Sequence, residues 1–366
     1  MQTIEKAWES AQKKEGLSWL DLLSPLSLIY QFLIKLRHIF YSWRLRQKHF
    51  FSIPIVCVGN IRVGGSGKTP FVLKLVGDLL GALNICVIST GYKSLGSCKT
   101  KVLAGKDSKG NFIPALFLGD EPAMIQKRFP QIDVFVCKNR KKSVEQAIAQ
   151  HKDLVIFDDG FQCLSIVKDI HIVMLDPTCQ LTKMHMLPRG PLRDDPKRLS
   201  AADYIVLNYS SKAVLDLASV AAEIQKFTQA PIIATRKQPT AIQGEIQGPV
   251  EILKNKKIAL FCAIAQSSRF IEDVKCLEPL IVKTWTLADH AVFSLEDLSS
   301  FSKSAKQQGA ELLVCTEKDY VKVHAIPTCL PKAFLEVNLE VIAGQEHYKH
   351  LLRLITSKVK KHHSFT

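Results

Sequence analysis

The sequence lacks the marks of several protein classes. It has no internal repeat and no low-complexity tract, which argues against a solenoid and against a disordered chain. None of its ten cysteines forms a Cys-x-x-Cys pair, and several lie inside apolar runs. We therefore expect reduced cysteines that serve as small core residues in a reducing compartment. The opening residues also lack the basic and apolar regions of a secretory signal, so we expect the body of the protein to stay in the cytoplasm.

The overall composition is that of a globular protein. Hydrophobic residues make up 47% and charged residues 23% of the 366 positions, a length that suits two domains or one large one. Lysine and arginine number 49 against 34 acidic residues, which gives a net charge of +15. This balance favours an anionic partner, whether a nucleotide, a nucleic acid or an anionic membrane face, and does not choose among them.

The N-terminal region has no uninterrupted apolar run of the length that crosses a bilayer, about 20 residues. Residues 17–34 are apolar but contain Asp21 and Pro25, and residues 35–46 alternate basic and aromatic side chains. This pattern favours a helix that lies in the membrane interface. The alternative is a pair of helices packed on the protein's own core, and a full span is less favoured. We assign residues 1–48 to an N-terminal helical segment for membrane association.

A glycine-rich loop follows the next apolar run. Residues 53–60 read IPIVCVGN, RVGGSGKTP follows after one residue, and FVLKLVGDLL has a helical pattern. Strand, glycine loop and helix is the order that a phosphate-binding loop requires, although Arg62 replaces the first glycine of the usual GxxxxGK[ST] pattern. Glycines let backbone N–H groups approach phosphates, lysine supplies charge, and threonine offers a hydroxyl to Mg²⁺. We assign ATP binding to Arg62, Val63, Gly64, Gly65, Ser66, Gly67, Lys68 and Thr69.

Two carboxylates end a later apolar strand. Residues 154–157 read LVIF and run directly into Asp158 and Asp159. In a P-loop protein a carboxylate at this place holds the hydration shell of Mg²⁺. The alternative is a strand-ending turn, since Asp-Gly is a common turn pair. We assign the metal site to Thr69, Asp158 and Asp159.

Further apolar runs predict an α/β fold with a P-loop NTPase-like, mostly parallel sheet flanked by helices. Strands are expected at 84–90, 133–137, 170–176 and 204–208. A second series at 258–263, 280–287 and 311–316 alternates with helical patterns and predicts a smaller α/β domain. We place the P-loop kinase domain at 49–228, the smaller domain at 229–350, and a basic tail at 351–366, in which we expect residues 357–366 to be loose.

A series of motifs resembles one family, the tetraacyldisaccharide 4′-kinases of lipid A synthesis. In order they are GNIRVGGSGKTP, TGYKS, GDEPAMI, the arginine of CKNR, DDGFQ, LPRGPLRD, LADH and TEKDYVK. The resemblance implies a P-loop α/β domain joined by a two-stranded linker to a smaller α/β domain, with the active site in the cleft. It also implies transfer of the γ-phosphate of ATP, with Mg²⁺, to the 4′-hydroxyl of tetraacyldisaccharide 1-phosphate, giving lipid IVA. The implied location is the cytoplasmic face of the bacterial inner membrane, with peripheral or monotopic attachment.

The resemblance also implies residue roles. Asp120 would be the base, assisted by His290, and Lys68 would stabilise the transferred phosphate. On the residues alone, a helix N-cap is the favoured role for Asp120 and a surface-loop histidine the favoured one for His290. Arg193 has the alternative of a surface salt bridge with Asp194 or Asp195. The substrate-binding residues implied by the motifs are Tyr92, Glu121, Arg140, Gln162, Arg189 and Arg193.

Departures from the family pattern occur at TGYKS, at GPLRD and at DDGFQC, and predict an active but divergent member. Two rival functions remain open at this stage. One is a P-loop kinase or ATPase that acts on a soluble small molecule. The other is a nucleic-acid-stimulated ATPase, which is disfavoured because no interleaved basic and aromatic motif lies outside the N-terminal region. We expect a lipid-linked disaccharide substrate, no nucleic acid and no obligate protein partner.

Overall fold

The computed structural model describes Trp8 and residues 19–92, 94–178, 180–209 and 216–363. The predicted N-terminal segment and basic tail therefore fall partly outside the described residues. Short 3₁₀ helices occur at Trp19–Leu23, Leu181–Lys183, Pro196–Ala201 and Val250–Leu253. The α-helices are α1 (Ser24–Ser42), α2 (Lys68–Leu79), α3 (Ala115–Leu118), α4 (Asp120–Arg128), α5 (Arg140–Ala149), α6 (Leu217–Gln225), α7 (Ser267–Lys275), α8 (Leu295–Gln307), α9 (Glu317–Val323) and α10 (Gln345–His363).

The strands lie where the sequence has short apolar runs. The predicted runs are all strands, with ends that differ by one or two residues. The strands are β1 (Ile55–Gly59), β2 (Ile85–Ser89), β3 (Leu103–Ala104), β4 (Asp133–Val136), β5 (Leu154–Asp158), β6 (Ile170–Leu175), β7 (Tyr204–Tyr209), β8 (Ile232–Gly244), β9 (Gly248–Pro249), β10 (Lys257–Cys262), β11 (Leu280–Thr286), β12 (Leu312–Thr316) and β13 (Lys332–Ala343).

The chain divides into two compact units that interleave along the sequence. The first unit is drawn from residues 1–89, 140–236 and 341–366, and the second from residues 90–139 and 237–340. The strands β8 and β13 each begin in one unit and end in the other. The predicted boundary between the two domains, at residues 228 and 229, stays a prediction. The compact units differ from it in one respect, because residues 90–139 belong to the same unit as residues 237–340.

The first unit is built on a parallel sheet with the order β2-β5-β1-β6-β7-β8. Every residue of β1, β2 and β5 is buried, as expected for strands covered by helices on both faces. Val58 of β1 lies opposite Asp158 of β5. The glycine loop and the acidic pair therefore leave the sheet at the same edge.

The second unit has its own parallel sheet in the order β11-β10-β12-β13. Two clusters of buried apolar side chains cover it, one containing Phe261 and Leu298 and the other Leu260 and Val274. The antiparallel pair β3 and β4 also belongs to this unit. The second α/β domain that the sequence predicted is thus present as a βαβ sheet with an added N-terminal part.

Helix α1 is long and apolar but mostly exposed. Together with the preceding 3₁₀ turn it forms a segment, Trp19–Ser42, that is long and apolar enough to cross a membrane. Leu20 and Ser27 are buried, whereas Leu22 and Phe32 are 82% and 64% exposed. The alternative in which this segment packs on the protein's core is therefore wrong for most of its described length.

The C-terminal residues are more ordered in structure than the sequence predicted. Helix α10 continues to His363, so the expectation of a loose tail is wrong over residues 357–363. Tyr348 of this helix is buried, donates a hydrogen bond to Asp78 over 2.6 Å and packs edge-on against Phe71. Because Phe71 and Asp78 lie on α2, the C-terminal helix supports the helix that follows the glycine loop.

A partly buried charge cluster joins α4 to α9 in the second unit. Arg128 at the end of α4 pairs with Glu317 at the start of α9 over 2.9 Å and with Glu336 of β13 over 2.8 Å. Burial raises the pKa of Glu317 to about 7, and the negative charge of Glu336 adds to this effect although Arg128 opposes it. The folded protein therefore binds a proton at Glu317 more tightly than the unfolded chain, where the ordinary value is 4.5.

This cluster predicts a pH dependence of stability. An acid whose pKa is raised by folding stabilises the fold at low pH, and that contribution is lost as the pH rises from about 4.5 to 7. Glu317→Gln removes the titration. We expect the unfolding free energy of the unmodified protein to fall by about 3 kcal/mol relative to Glu317→Gln between pH 4.5 and pH 8. Urea unfolding of both proteins across this range measures it, and a constant difference would contradict the assignment.

Candidate active site

The glycine loop runs from the end of β1 into the first turn of α2. Gly64 and Gly67 have positive φ angles of 106° and 81°, which glycine adopts without strain. A Cβ on Gly67 would lie 2.0 Å from Nδ2 of Asn208, so a side chain does not fit there. Gly67 is the N-cap of α2, and the helix therefore presents its first amide groups at the loop. This is the arrangement that binds phosphate at a helix N-terminus.

Side-chain and backbone hydrogen bonds hold the loop in place. Asn60 donates through Nδ2 to the hydroxyl of Ser66 over 2.7 Å, and both residues are buried. The N–H of Val63 donates to the carbonyl of Pro191 over 2.8 Å. The stretch from Arg62 to Thr69 that the sequence assigned to phosphate binding is thus a loop, held at Val63 and Ser66, that leads into the first turn of α2.

Thr69 and Asp158 lie beside the loop as a pair of oxygen donors. The hydroxyl of Thr69 donates to Oδ2 of Asp158 over 3.3 Å, and both side chains are buried. Hydroxyl and carboxylate oxygens are the ligands that Mg²⁺ prefers. Among the described residues no three His, Cys, Asp or Glu side chains gather into a metal site made of protein alone. The pair therefore fits an ion that takes much of its coordination from phosphate and water.

Asp159 lies between Lys68 of the loop and Arg193, an arginine 34 residues later in the sequence. Its carboxylate receives two hydrogen bonds from Arg193, at 2.8 and 3.0 Å, and lies 3.7 Å from the ammonium of Lys68. Desolvation alone would raise the pKa of Asp159, but the charges of Lys68 and Arg193 outweigh it and hold the pKa well below its usual range. The alternative pairing of Arg193 with Asp194 or Asp195 is wrong.

Other residues implied by the motifs lie against the backbone of this site. Arg140 is buried and donates to the carbonyls of Asp158 and Asp159 over 2.8 and 2.7 Å. Gln162 donates to the carbonyl of Asn60 over 2.7 Å. In this state both side chains shape the acidic turn and the loop, and their predicted contact with substrate stays a prediction.

Helix α1 is fastened to the same part of the first unit. Ser27 donates to the carbonyl of Met186 over 2.7 Å, and Tyr30 donates to the carbonyl of Arg193 over 3.0 Å. His38 lies 3.1 Å from the buried carboxylate of Asp194.

Two arginines make further contacts with this region. Arg189 pairs with Asp21, in the 3₁₀ turn before α1, at 2.7 Å. Arg37 of α1 donates to the carbonyl of Gln162 over 2.7 Å.

A second cluster of titratable groups lies wholly in the second unit. Asp120 is the first residue of α4, and its Oδ2 lies 3.0 Å from Nδ1 of His290. The helix N-cap is Gly119, so the alternative role of Asp120 as the cap is wrong. The side chain of His290 is only 12% exposed, so the alternative of a surface-loop histidine is also wrong. The ring of Tyr92 packs edge-on against it at 5.6 Å.

Two lysines of α9 surround this pair. Lys322 lies 3.6 Å from Oδ2 of Asp120, and Lys318 lies 3.2 Å from Nε2 of His290. Burial alone would raise the pKa of Asp120, but the hydrogen bond from His290 and the charges of Lys322 and Lys318 outweigh it, so the pKa is lowered. Asp120 is therefore ionised at neutral pH, as a base must be.

The start of α9 is fixed by a capping arrangement. Thr316 is the N-cap and accepts from the N–H of Asp319 over 3.1 Å. The fully buried Asp319 in turn accepts from the N–H of Ala263 over 3.0 Å and pairs with Lys322 over 2.7 Å. The motif TEKDYVK thus combines a helix cap with two lysines on one face, four residues apart.

The comparisons with known proteins agree on one family. The family model described as tetraacyldisaccharide-1-P 4′-kinase, LpxK, matches residues 19–356. The chain belongs to this family. A tetraacyldisaccharide 4′-kinase of Chlamydia caviae is 36% identical over 290 residues, 76% of either chain, and one of Chlamydia pneumoniae is 31% identical over 346 residues, 93% of this chain and 91% of that one.

A solved LpxK structure also resembles the fold. The crystal structure of the "apo" form of LpxK from Aquifex aeolicus in complex with ATP has a TM-score of 0.75 and 25% sequence identity, and the match covers 92% of this chain and 100% of that one. The predicted fold class is therefore confirmed. Membership of the LpxK family makes the chain a tetraacyldisaccharide 4′-kinase. This reaction is favoured over the two rival functions, action on a soluble small molecule and a nucleic-acid-stimulated ATPase.

Sequence reasoning missed several members of both clusters. It quoted TEKDYVK and LADH only as family motifs and assigned no role to Lys318, Lys322, Asp319 or Asp289. The four-residue spacing of the two lysines was a readable signal for one helix face. Asn60, which reaches both the loop and Arg193, carried no such signal, because a polar residue after a strand is common in any turn.

Proposed function

We propose that this chain transfers the γ-phosphate of ATP to the 4′-hydroxyl of tetraacyldisaccharide 1-phosphate at the cytoplasmic face of the bacterial inner membrane. The observation that carries the proposal is the ionised Asp120 held by His290 in a chain that also has a complete phosphate loop. A carboxylate that accepts a proton and a loop that binds a triphosphate are the two elements that phosphoryl transfer to an alcohol requires.

The loop and Lys68 bind the phosphates. The amides from Gly64 to Thr69 surround the β-phosphate in this proposal, and Lys68 neutralises charge on the γ-phosphate. The ammonium of Lys68 lies 3.7 Å from the carboxylate of Asp159, which holds it at the edge of the loop. Arg193 keeps Asp159 ionised and oriented while Lys68 moves to the nucleotide.

Thr69, Asp158 and Asp159 are the residues that would hold Mg²⁺. When bound, the ion would supply positive charge that neutralises the phosphates during transfer. Asp158 is fixed for this task by its place at the end of β5 and by the hydroxyl of Thr69. Arg140 fixes the backbone of the acidic turn through the carbonyls of Asp158 and Asp159.

Asp120 takes the proton of the acceptor hydroxyl. In a loose transition state the hydroxyl becomes acidic only as its oxygen bonds to phosphorus, so a base of lowered pKa suffices. The substrate-binding roles of Tyr92, Glu121, Arg140, Gln162, Arg189 and Arg193 remain part of the proposal. Arginines suit the substrate's 1-phosphate because a guanidinium forms two parallel hydrogen bonds with it.

Two substitutions test the phosphate-binding residue and the base one at a time. Lys68→Ala removes the charge at the γ-phosphate, and Asp120→Asn removes the base while keeping its size. We expect each to lower the rate of lipid bisphosphate formation by about 10² or more. Purified protein with MgATP and tetraacyldisaccharide 1-phosphate, followed by product separation, measures this rate.

The control is the exposed residue Lys303, whose change to alanine should leave the rate unaltered. Near-normal rates in Asp120→Asn would remove the base from the proposal. Absence of a lipid product from the unmodified protein, under conditions where ATP binds, would overturn the proposed reaction itself.

The membrane face of the proposal rests on α1. Leu22, Leu26, Ile29 and Leu33 are exposed by 82%, 54%, 56% and 54% and form one apolar stripe with helical spacing. Other side chains of the same helix, Ser27, Tyr30, Arg37 and His38, hydrogen-bond to the protein. A helix attached along its length in this way supports a position in the interface rather than a full span.

Removal of the apolar stripe should weaken membrane binding. We expect Leu26→Ser with Ile29→Ser to lower the vesicle partition coefficient by about tenfold or more, because each side chain contributes roughly 1 kcal/mol or more when buried in lipid. Sedimentation with anionic phospholipid vesicles measures it. The matched control is Leu280→Ser with Leu295→Ser, positions in the second unit that are 50% and 57% exposed. Equal losses in the two double variants would contradict a specific role for α1.

A further inference from the structure

Both ring nitrogens of His290 have a partner within the second unit. Nδ1 lies 3.0 Å from Oδ2 of Asp120, and Nε2 lies 3.2 Å from the ammonium nitrogen of Lys318. The carboxylate of Asp289 also approaches Nε2, at 3.6 Å, but its other oxygen accepts a hydrogen bond from Lys318 at 3.1 Å. The ring of Tyr92 lies against the imidazole from a further side.

The chemistry of these partners determines where the imidazole proton is. An ammonium group has donors and no acceptor, so Lys318 can bond to Nε2 only if that nitrogen presents its lone pair. A neutral imidazole then carries its proton on Nδ1. Nδ1–H donates to the ionised carboxylate of Asp120, which can only accept. The three groups therefore form a chain of donors that runs from Lys318 through His290 to Asp120.

The competing arrangement is an imidazolium that bridges Asp120 and Asp289. It would place a hydrogen on Nε2, facing the ammonium of Lys318 at 3.2 Å. Like charges at that distance oppose each other, and the Asp289 carboxylate is farther from Nε2 than Lys318 is. Lys322, which lies on the Asp120 side, adds a further positive charge that opposes an imidazolium.

Lys318 is kept charged and in place by its own surroundings. Burial alone would lower its pKa, but the charges of Glu121, Asp289 and Asp120 outweigh it, so the pKa is raised. Its helix is also tied to His290 through the backbone of Ala263. The N–H of Ala263 donates to Asp319 of α9 over 3.0 Å, and its carbonyl accepts from the N–H of His290 over 3.2 Å.

We propose that Lys318 is a positioning residue that fixes His290 as the neutral Nδ1–H tautomer, so that the proton of the acceptor hydroxyl ends on Asp120 and not on the imidazole. This inference rests on the proposed role of Asp120 as the base. His290 then acts as a donor that orients one carboxylate oxygen, and its own charge stays constant through the transfer. Lys318 touches neither the nucleotide nor the hydroxyl in this account and acts only through His290.

The direct test is nitrogen NMR of the full-length protein labelled with ¹⁵N-histidine, with the His290 signals assigned by their loss in His290→Asn. At neutral pH we expect the unmodified protein to show a protonated Nδ1 and an unprotonated Nε2. Lys318→Met removes the ammonium and keeps much of the side-chain length, so protonation of Nε2 should appear. Lys322→Met is the matched control, one turn along the same helix, and should leave Nε2 unprotonated.

Steady-state kinetics supply a second measurement. A purely structural role of Lys318 would not lower kcat while leaving the KM for ATP unchanged. We expect Lys318→Met to lower kcat about a hundredfold or more, since a wrong histidine tautomer can cost a factor of about 10⁴, with the KM for ATP unchanged. Lys318→Arg keeps a charged donor and should restore the tautomer and part of kcat.

A protonated Nε2 in the unmodified protein would overturn the proposal, and this observation needs no variant to fold. An unaltered tautomer in Lys318→Met would also overturn it. The NMR result does not depend on kinase activity. Failure to form the lipid bisphosphate would therefore count against the proposed function, while the tautomer assignment would stand or fall by its own measurement.

Discussion

The parallel pairing of β1 with β5 is the constraint on which the phosphate site depends. Because Val58 lies opposite Asp158, the chain turns into the glycine loop and into the acidic pair at the same edge of the sheet. A slip of one residue would turn Asp158 to the other face of the strand. The 3.3 Å contact of Thr69 with Asp158 depends on this register.

Each of the two clusters prepares its acid in the ionised state. Asp159 is surrounded by Lys68 and Arg193, and Asp120 by His290 and two lysines. Fixed charges that are already oriented need little reorganisation when a substrate binds, which is the main source of electrostatic catalysis.

The sequence was sufficient for the features that short-range pattern encodes. Continuous apolar runs predicted the strands, and the glycine loop between strand and helix located Gly67, Lys68 and Thr69. The contacts of Arg193 with Asp159 and of Lys318 with His290 join residues 34 and 28 positions apart, and no spacing rule predicts such pairs. Sequence analysis also missed that residues 90–139 belong to the same unit as residues 237–340. No spacing rule joins two segments so far apart in the chain.

The most direct test of the account is the effect of Mg²⁺ on ATP affinity. Calorimetric titration of the unmodified protein and of Asp158→Asn, each with and without Mg²⁺, isolates the carboxylate that the strand register positions. We expect Mg²⁺ to raise the affinity of the unmodified protein by about tenfold or more, and most of that gain to be lost in Asp158→Asn. An equal gain in both proteins would contradict the assignment of Asp158 and, with it, the proposed phosphate site.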